Sequence, residues 1–134
     1  MKLVIDTNIL FSFFNESSFT KKLITNPSLN LISPEFSLTE LKKYSELIIK
    51  KSKISKRTFE HSLKDLKTFT KFINNKIYFK YLKDAQRIAP DEKDKDFLAL
   101  SLKENCPLWS NDKELKKQSK IKVFSTKELI ELLF

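Results

Sequence analysis

Residues 94–112 read DKDFLALSLKENCPLWSND. Phe97, Leu98, Leu100, Ser101 and Leu102 make this helix apolar nearly all the way round, and a helix of that kind has to be central and covered. PLWS, residues 107–110, reads as a short strand directly after it. A covered helix that feeds a buried strand is one half of a repeating strand–helix alternation, and the rest of the chain supplies more of it.

Working outward, Lys2 to Ile5 reads as a buried strand, followed by an apolar helix around Ile9 to Phe14 and a second helical stretch from Ser17 to about Thr25. Leu29 to Ser33 is a second strand. Pro34 then opens a helix at its first turn, where a missing N–H costs nothing, and Leu41, Tyr44 and Ile48 give that helix a buried stripe. Ser55 reads as the N-cap of a long helix reaching about Asn74, with Phe59, Leu63, Leu66, Phe69 and Ile73 on one face. These two helices form a hairpin. Lys76 to Lys80 reads as a third strand, YLKDAQRIA as a short helix stopped by Pro90, NDKELKKQ as another, IKVF as a strand, and Ser125 or Thr126 caps a last helix, KELIELLF. No repeat, linker or low-complexity tract interrupts the pattern. The expected fold is one α/β domain over residues 1–134, a three-layer α/β/α arrangement with a central, mostly parallel sheet of four to five short strands, plus the helical hairpin.

Composition removes whole classes of chemistry. The chain contains no glycine, so it holds neither a GxxxxGK phosphate loop, nor a GxGxxG dinucleotide turn, nor a GxSxG nucleophile elbow. The left-handed turn positions fall to asparagines, with Asn26, Asn74, Asn75, Asn105 and Asn111 as candidates. The one histidine, His61, cannot make an HExxH zinc site or a two-histidine acid–base pair, and its setting reads as a solvated helix face. Cys106, the one cysteine, has no internal disulfide partner and reads as a small core residue. The sequence shows no run of 18 apolar residues and no signal-peptide pattern, so a cytoplasmic protein without membrane contact is expected. Chemistry built on carboxylates remains, which means hard cations held by oxygen.

The charge is unevenly placed. Of a formal net +9, the hairpin segment from Lys42 to Lys76 carries +8, eleven basic residues against Glu46, Glu60 and Asp65. An array that includes Lys42, Lys43, Lys50, Lys51, Lys53, Lys56 and Arg57 suits a polyanion, since each lysine–phosphate contact releases condensed counterions. A solvated surface in a lysine-rich chain would look the same.

In open α/β sheets, sites form at the carboxyl ends of the strands. Asp6 ends the first strand, Asp112 follows PLWSN, Glu40 lies in the first turns of the helix after the second strand, and Asp94 opens the apolar helix. Taken singly, Asp6, Asp94 and Asp112 read more readily as ordinary helix N-caps and Glu40 as an exposed helix residue. Four acids at one edge are a pattern that capping does not require.

VIDTNIL at residues 4–10, SLTEL at 37–41 and the 94–112 stretch together resemble the acidic motifs of the PIN domain family, over the chain from residue 3 to about residue 126. The resemblance implies a Mg²⁺- or Mn²⁺-dependent ribonuclease acting on single-stranded RNA. Many stand-alone members of this size are toxins of VapBC-type toxin–antitoxin pairs, so an antitoxin protein and a homodimer are implied partners. Asp6, Glu40, Asp94 and Asp112 match the family's acidic positions, and Asn8 and Ser110 its polar positions beside the first and last acids. The chain departs from the pattern in lacking glycine, with Asn105 where a helix-ending glycine is frequent, and in carrying extra acids at Asp91, Glu92 and Asp96, which leave the third ligand open between Asp94 and a neighbour. On a helix Asp96 points well away from Asp94. Two other readings stay open: a PIN nuclease of RNA maturation, and a PIN-like module that binds RNA without turnover.

Overall fold

The computed structural model describes residues 1–134. Its centre is β1 (Lys2–Ile5), flanked by β2 (Asn30–Pro34) and β4 (Leu108–Trp109), with β3 (Thr70–Ile73) and β5 (Val123–Phe124) at the edges, in the order β3-β2-β1-β4-β5. All four pairings are parallel. Side chains of a strand alternate between faces, and β1 uses both: Leu3 and Ile5 join one core, Val4 the other, and all three are fully buried. Leu31 and Trp109 follow Leu3, while Ile32 and Leu108 follow Val4.

Helices cover both faces, giving three layers. On the first face lie α1 (Thr7–Ser12), α2 (Phe19–Ile24), α4 (Ser45–Ser52), α5 (Lys56–Phe69) and α9 (Thr126–Leu133), which contribute Leu10, Leu23, Ile48, Phe59, Leu66 and Leu129. On the second face lie α6 (Asn75–Tyr78), α7 (Leu82–Ile88) and α8 (Lys95–Glu104). The sheet explains why α8 is apolar all round: Phe97, Leu98, Ala99, Leu100 and Ser101 are all buried. Between the layers α3 (Glu35–Lys43) sends Leu41 to the first core and rests Phe36 against the second. No helix is long and apolar enough to cross a membrane.

Five local expectations are corrected. The long helix stops at Phe69, and Thr70–Ile73, assigned to its last turn by the helical period, is β3, paired from Leu31↔Thr70 to Pro34↔Ile73. Phe69 and Ile73 continue the apolar stripe, so period alone misleads; the β-branched and aromatic residues of TKFI fit a pleated edge. Lys76–Lys80, expected as the third strand, is α6 and a 3₁₀ turn over Phe79–Tyr81, and the Asn74 side chain caps α6 by accepting from Lys76 N at 2.9 Å. NDKELKKQ forms only a 3₁₀ turn, Lys113–Lys117. Pro34 ends β2 and stands at the N-cap of α3 rather than inside it. The helix after β2 also breaks at Tyr44 (φ −99°, ψ 20°), so the hairpin consists of α4 and α5.

Of the five asparagines expected in left-handed backbone, only Asn105 (φ 50°) adopts it, and Lys53 (φ 55°) is the other such residue. Asn26, Asn74 and Asn111 accept backbone N–H bonds through their side chains instead, at 2.8 to 2.9 Å.

Candidate active site

The chain runs from β1 outward to β2 and β3, then crosses back to β4 on the other side of β1. Loops that leave the carboxyl ends of β1 and β4 therefore diverge, and a cavity of about 200 Å³ opens there. Asp6, Glu40, Asp94 and Asp112 all line it, with Thr7, Asn8, Lys93 and the aromatic rings of Phe11, Phe36, Tyr44 and Phe97.

Each acid is placed by its backbone. Asp6 directly follows β1; its N–H donates to Trp109 O at 3.2 Å, and its Oδ1 caps α1 by accepting from Ile9 N at 3.0 Å. Asp112 follows β4, accepts from Glu114 N at 3.0 Å, and donates its own N–H to Ser110 Oγ at 3.1 Å. Glu40 sits one helical turn past the buried hydroxyls of β2 and α3. Ser33 Oγ donates to Ile5 O at 2.8 Å and lies 3.0 Å from Ser37 Oγ. Thr7 Oγ1 in turn reaches Ser37 Oγ at 3.4 Å and Glu40 Oε1 at 3.5 Å. Asp94 ends a 3₁₀ turn (Glu92–Asp94) ahead of α8, makes no side-chain cap bond, and keeps Oδ2 buried without a hydrogen-bond partner. Capping thus accounts for Asp6 and Asp112 in part, and for Asp94 not at all.

Asp94 and Asp6 feel burial and their acidic neighbours. Burial raises the Asp94 pKa to about 6, helped by the charges of Asp112, Asp91 and Asp6 and opposed by Lys93. Burial also raises Asp6, with Asp112 adding to it, while the Ser110 hydroxyl and the backbone N–H groups of Ile9 and Asn8 act the other way. The side chains line the cavity without closing into a ligand cluster: no group of three or more His, Cys, Asp and Glu side chains is spaced to hold a metal ion. The donor set nevertheless fits a divalent cation. It offers only hard oxygens, carries mutual repulsion that a cation would relieve, and includes the orphaned Asp94 Oδ2, a buried acceptor of the kind that asks for a partner.

The other candidates separate. Asn8 lines the cavity, and Ser110, buried behind it, touches the Asp112 backbone. Asp96 is turned away, accepting from the Tyr78 hydroxyl at 2.6 Å. Asp91 is exposed and caps the 3₁₀ turn through Lys93 N at 3.1 Å. Lys42, Lys43, Lys50, Lys51, Lys53, Lys56 and Arg57 are all exposed, and none of them forms an ion pair. Lys51 lines a groove that shares Asn8, Phe11 and Tyr44 with the acidic cavity, and the Lys43 ammonium lies 5.4 Å from the centre of the Tyr44 ring. Arg57 instead lines a separate hollow with His61, which is exposed and 3.9 Å from Asp65. Cys106 is half-buried against the second core, and burial raises its thiol pKa.

Sequence reading missed Lys93 and the Thr7–Ser37–Glu40 hydroxyl chain. Lys93 stood beside Asp94 among several acids, and only the 3₁₀ turn brings it to the cavity.

The PIN domain family model matches residues 4–131. This chain belongs to the PIN domain family. PIN domains are generally nucleases and typically depend on divalent metal ions. Among solved structures, the PIN domain described here is similar to a chain in the crystal structure of VapBC2 from Rickettsia felis bound to a DNA fragment from their promoter. The TM-score is 0.62 at 18% identity, covering 93% of this chain and 98% of that one. At that identity the likeness is one of fold. No curated protein matches the chain.

Proposed function

We propose that this PIN domain is a Mg²⁺- or Mn²⁺-dependent endoribonuclease that cleaves single-stranded RNA, and that it serves as the toxin of a VapBC-type pair. The observation that carries the reading is the meeting of Asp6, Glu40, Asp94 and Asp112 around one cavity at the carboxyl edge of the sheet, with Asp94 Oδ2 buried and unpartnered. The likeness to a VapBC2 chain supports the toxin assignment through fold.

Asp6, Glu40, Asp94 and Asp112 would hold the ion. When bound, it lowers the pKa of a water for in-line attack at phosphorus and offsets the charge that builds on the departing oxygen. The chain's own groups supply the rest. Asp6 is fixed at the end of the central strand, where Ile9 N of α1 holds its Oδ1 at 3.0 Å and the Ser110 hydroxyl favours its charged form. The Thr7 hydroxyl steadies Glu40. Lys93, lining the same cavity, gives an incoming phosphate a cation to meet among the acids.

Cleavage of a labelled single-stranded RNA by wild type and by Asp6→Asn, with and without Mg²⁺ or Mn²⁺, tests this. Asparagine is an equally good N-cap, so Asp6→Asn should keep α1 and lose cleavage. RNA binding with no cleavage by wild type in either metal would leave a binding module without turnover, and full activity in Asp6→Asn would remove Asp6 from the site. Co-purification with a small DNA-binding protein encoded beside the gene separates the toxin from a nuclease of RNA maturation.

A further inference from the structure

We infer that the groove between α1 and α4 is a nucleotide subsite, which seats one unstacked base of the single-stranded substrate against Tyr44 and binds the adjoining phosphate through Lys51. The inference rests on the ribonuclease reading and specifies where its substrate goes. The groove, about 380 Å³, is lined by Asn8, Phe11, Asn15, Tyr44, Leu47 and Lys51 among others, and it shares Asn8, Phe11 and Tyr44 with the acidic cavity. A strand whose phosphodiester lies among the acids therefore leaves across this shared wall. That size falls at the small end of ligand sites, which run from about 300 to 1,000 Å³, and suits one base rather than several.

The wall has the right chemistry for a base. Tyr44 occupies the break between α3 and α4, and 40% of the residue is exposed. Edge-to-face contact with Phe11, at 6.3 Å and 83° between ring planes, fixes the attitude of the ring. Leu47 extends the apolar surface and is 48% exposed. Asn8 makes no side-chain hydrogen bond within the chain, so its amide is available at the junction of groove and cavity. Lys51 has no carboxylate partner, and neither has Lys43 at the Tyr44 ring. An aromatic face flanked by unpaired cations is the pattern that holds single-stranded nucleic acid without sequence preference.

The test uses the full chain in Ca²⁺ and a fluorescein-labelled single-stranded RNA, read by anisotropy, together with the same oligomer made abasic at each position in turn. Tyr44→Ala should weaken binding roughly tenfold, the size of one lost base–aromatic stack. Tyr44→Phe should retain affinity, and Lys51→Gln should lower the salt slope. One abasic position should cost wild type as much as Tyr44→Ala does and cost Tyr44→Ala nothing further. Unchanged affinity in Tyr44→Ala, equal losses in Tyr44→Phe and Tyr44→Ala, or abasic losses that all add to the Tyr44→Ala loss would each overturn the subsite, and the first would leave the groove to a protein segment. Circular dichroism of Tyr44→Ala checks that the variant folds, and the abasic scan of wild type needs no variant: losses spread evenly over all positions would overturn the subsite by themselves. Mg²⁺-dependent cleavage by the same preparations keeps the two readings apart: cleavage with Tyr44-independent binding overturns the subsite alone, whereas a wild type that neither binds nor cleaves RNA overturns both.

Discussion

The Tyr78 hydroxyl donates to Asp96 Oδ2 across 2.6 Å, and that bond draws Asp96 away from the cavity that Asp94, two residues earlier, helps to line. Burial and the Asp96 carboxylate push the Tyr78 pKa up, so the phenol remains a neutral donor. The two acids should therefore respond oppositely to the same change. Asp94→Asn should abolish metal-dependent cleavage without loss of stability at neutral pH, since it removes a buried charge that has acidic neighbours. Asp96→Asn should retain most activity and destabilise by about 1 kcal/mol, the usual worth of a hydrogen bond to a charged group weakened to a neutral one. Assayed side by side at matched purity, exchanged sensitivities would move the ligand to Asp96.

Asp94 also links stability to pH. Its folded pKa is about 6 against an ordinary 3.8, so between those values the folded chain holds more protons than the unfolded one. Stability must then fall as pH rises through that window and level off above it. At 1.36 kcal/mol per unit, reduced for solvent in an open cavity, the loss should be about 1–2 kcal/mol. Urea denaturation from pH 4 to 8 in EDTA should show this decline in wild type and a flatter curve in Asp94→Asn, the difference isolating Asp94 from other titrating groups. Mg²⁺ at pH 7.5 should restore stability to wild type more than to the variant. A wild-type minus Asp94→Asn difference that is constant from pH 4 to 8 would contradict the linkage.

Lys53 adopts φ 55° and ψ 45° at the C-cap of α4, a left-handed position where a β-carbon is unfavourable and glycine is the common solution. A chain without glycine has placed an exposed lysine there. Lys53→Gly should raise stability by about 1 kcal/mol, somewhat less after the added flexibility of the unfolded chain is counted. Denaturation midpoints that fall in Lys53→Gly would mean that the lysine stem packs in a way its exposure does not suggest.

Lys53 also illustrates what the sequence could not display. A parallel sheet and the meeting of all four acids at one edge were legible, because buried strands at Lys2–Ile5 and 107–110 and the all-round apolar α8 admit few arrangements; the order of the strands was not. The third strand was not, because Phe69 and Ile73 satisfy the helical period as well as the sheet does, and only the parallel partner Leu31–Pro34 decides between them. Asn105 was placed correctly in left-handed backbone, but the other asparagines were not, for a related reason: asparagine tolerates that backbone, but it also caps through its side chain, as Asn74 does for Lys76 N. Within the site, Asp6 and Asp112 could be found by their places after strands, and Glu40 and Asp94 by theirs near the starts of helices. Lys93 could not, since an exposed 3₁₀ turn leaves no periodic trace.

The basic residues present the remaining choice between a grip on RNA and a solvated face. Lys50, Lys51, Lys53 and Lys56 are exposed and free of ion pairs, so replacing all four with glutamine removes charge without breaking a contact. Glutamine retains much of the stem and should leave α4 and α5 folded. RNA binding in Ca²⁺ should weaken, and by less as salt rises. Each lysine in true phosphate contact should lower the slope of log K against log[salt] by about 0.7 for a single strand, so a drop near that value would single out Lys51, the member of the four that lines the groove beside the acids. Arg57→Gln, in a hollow of its own with His61, should change the slope little. Affinity and slope both unchanged in the quadruple variant would make these lysines a solvated surface and leave Lys43 at the Tyr44 ring and Lys93 in the cavity as the cations that meet RNA.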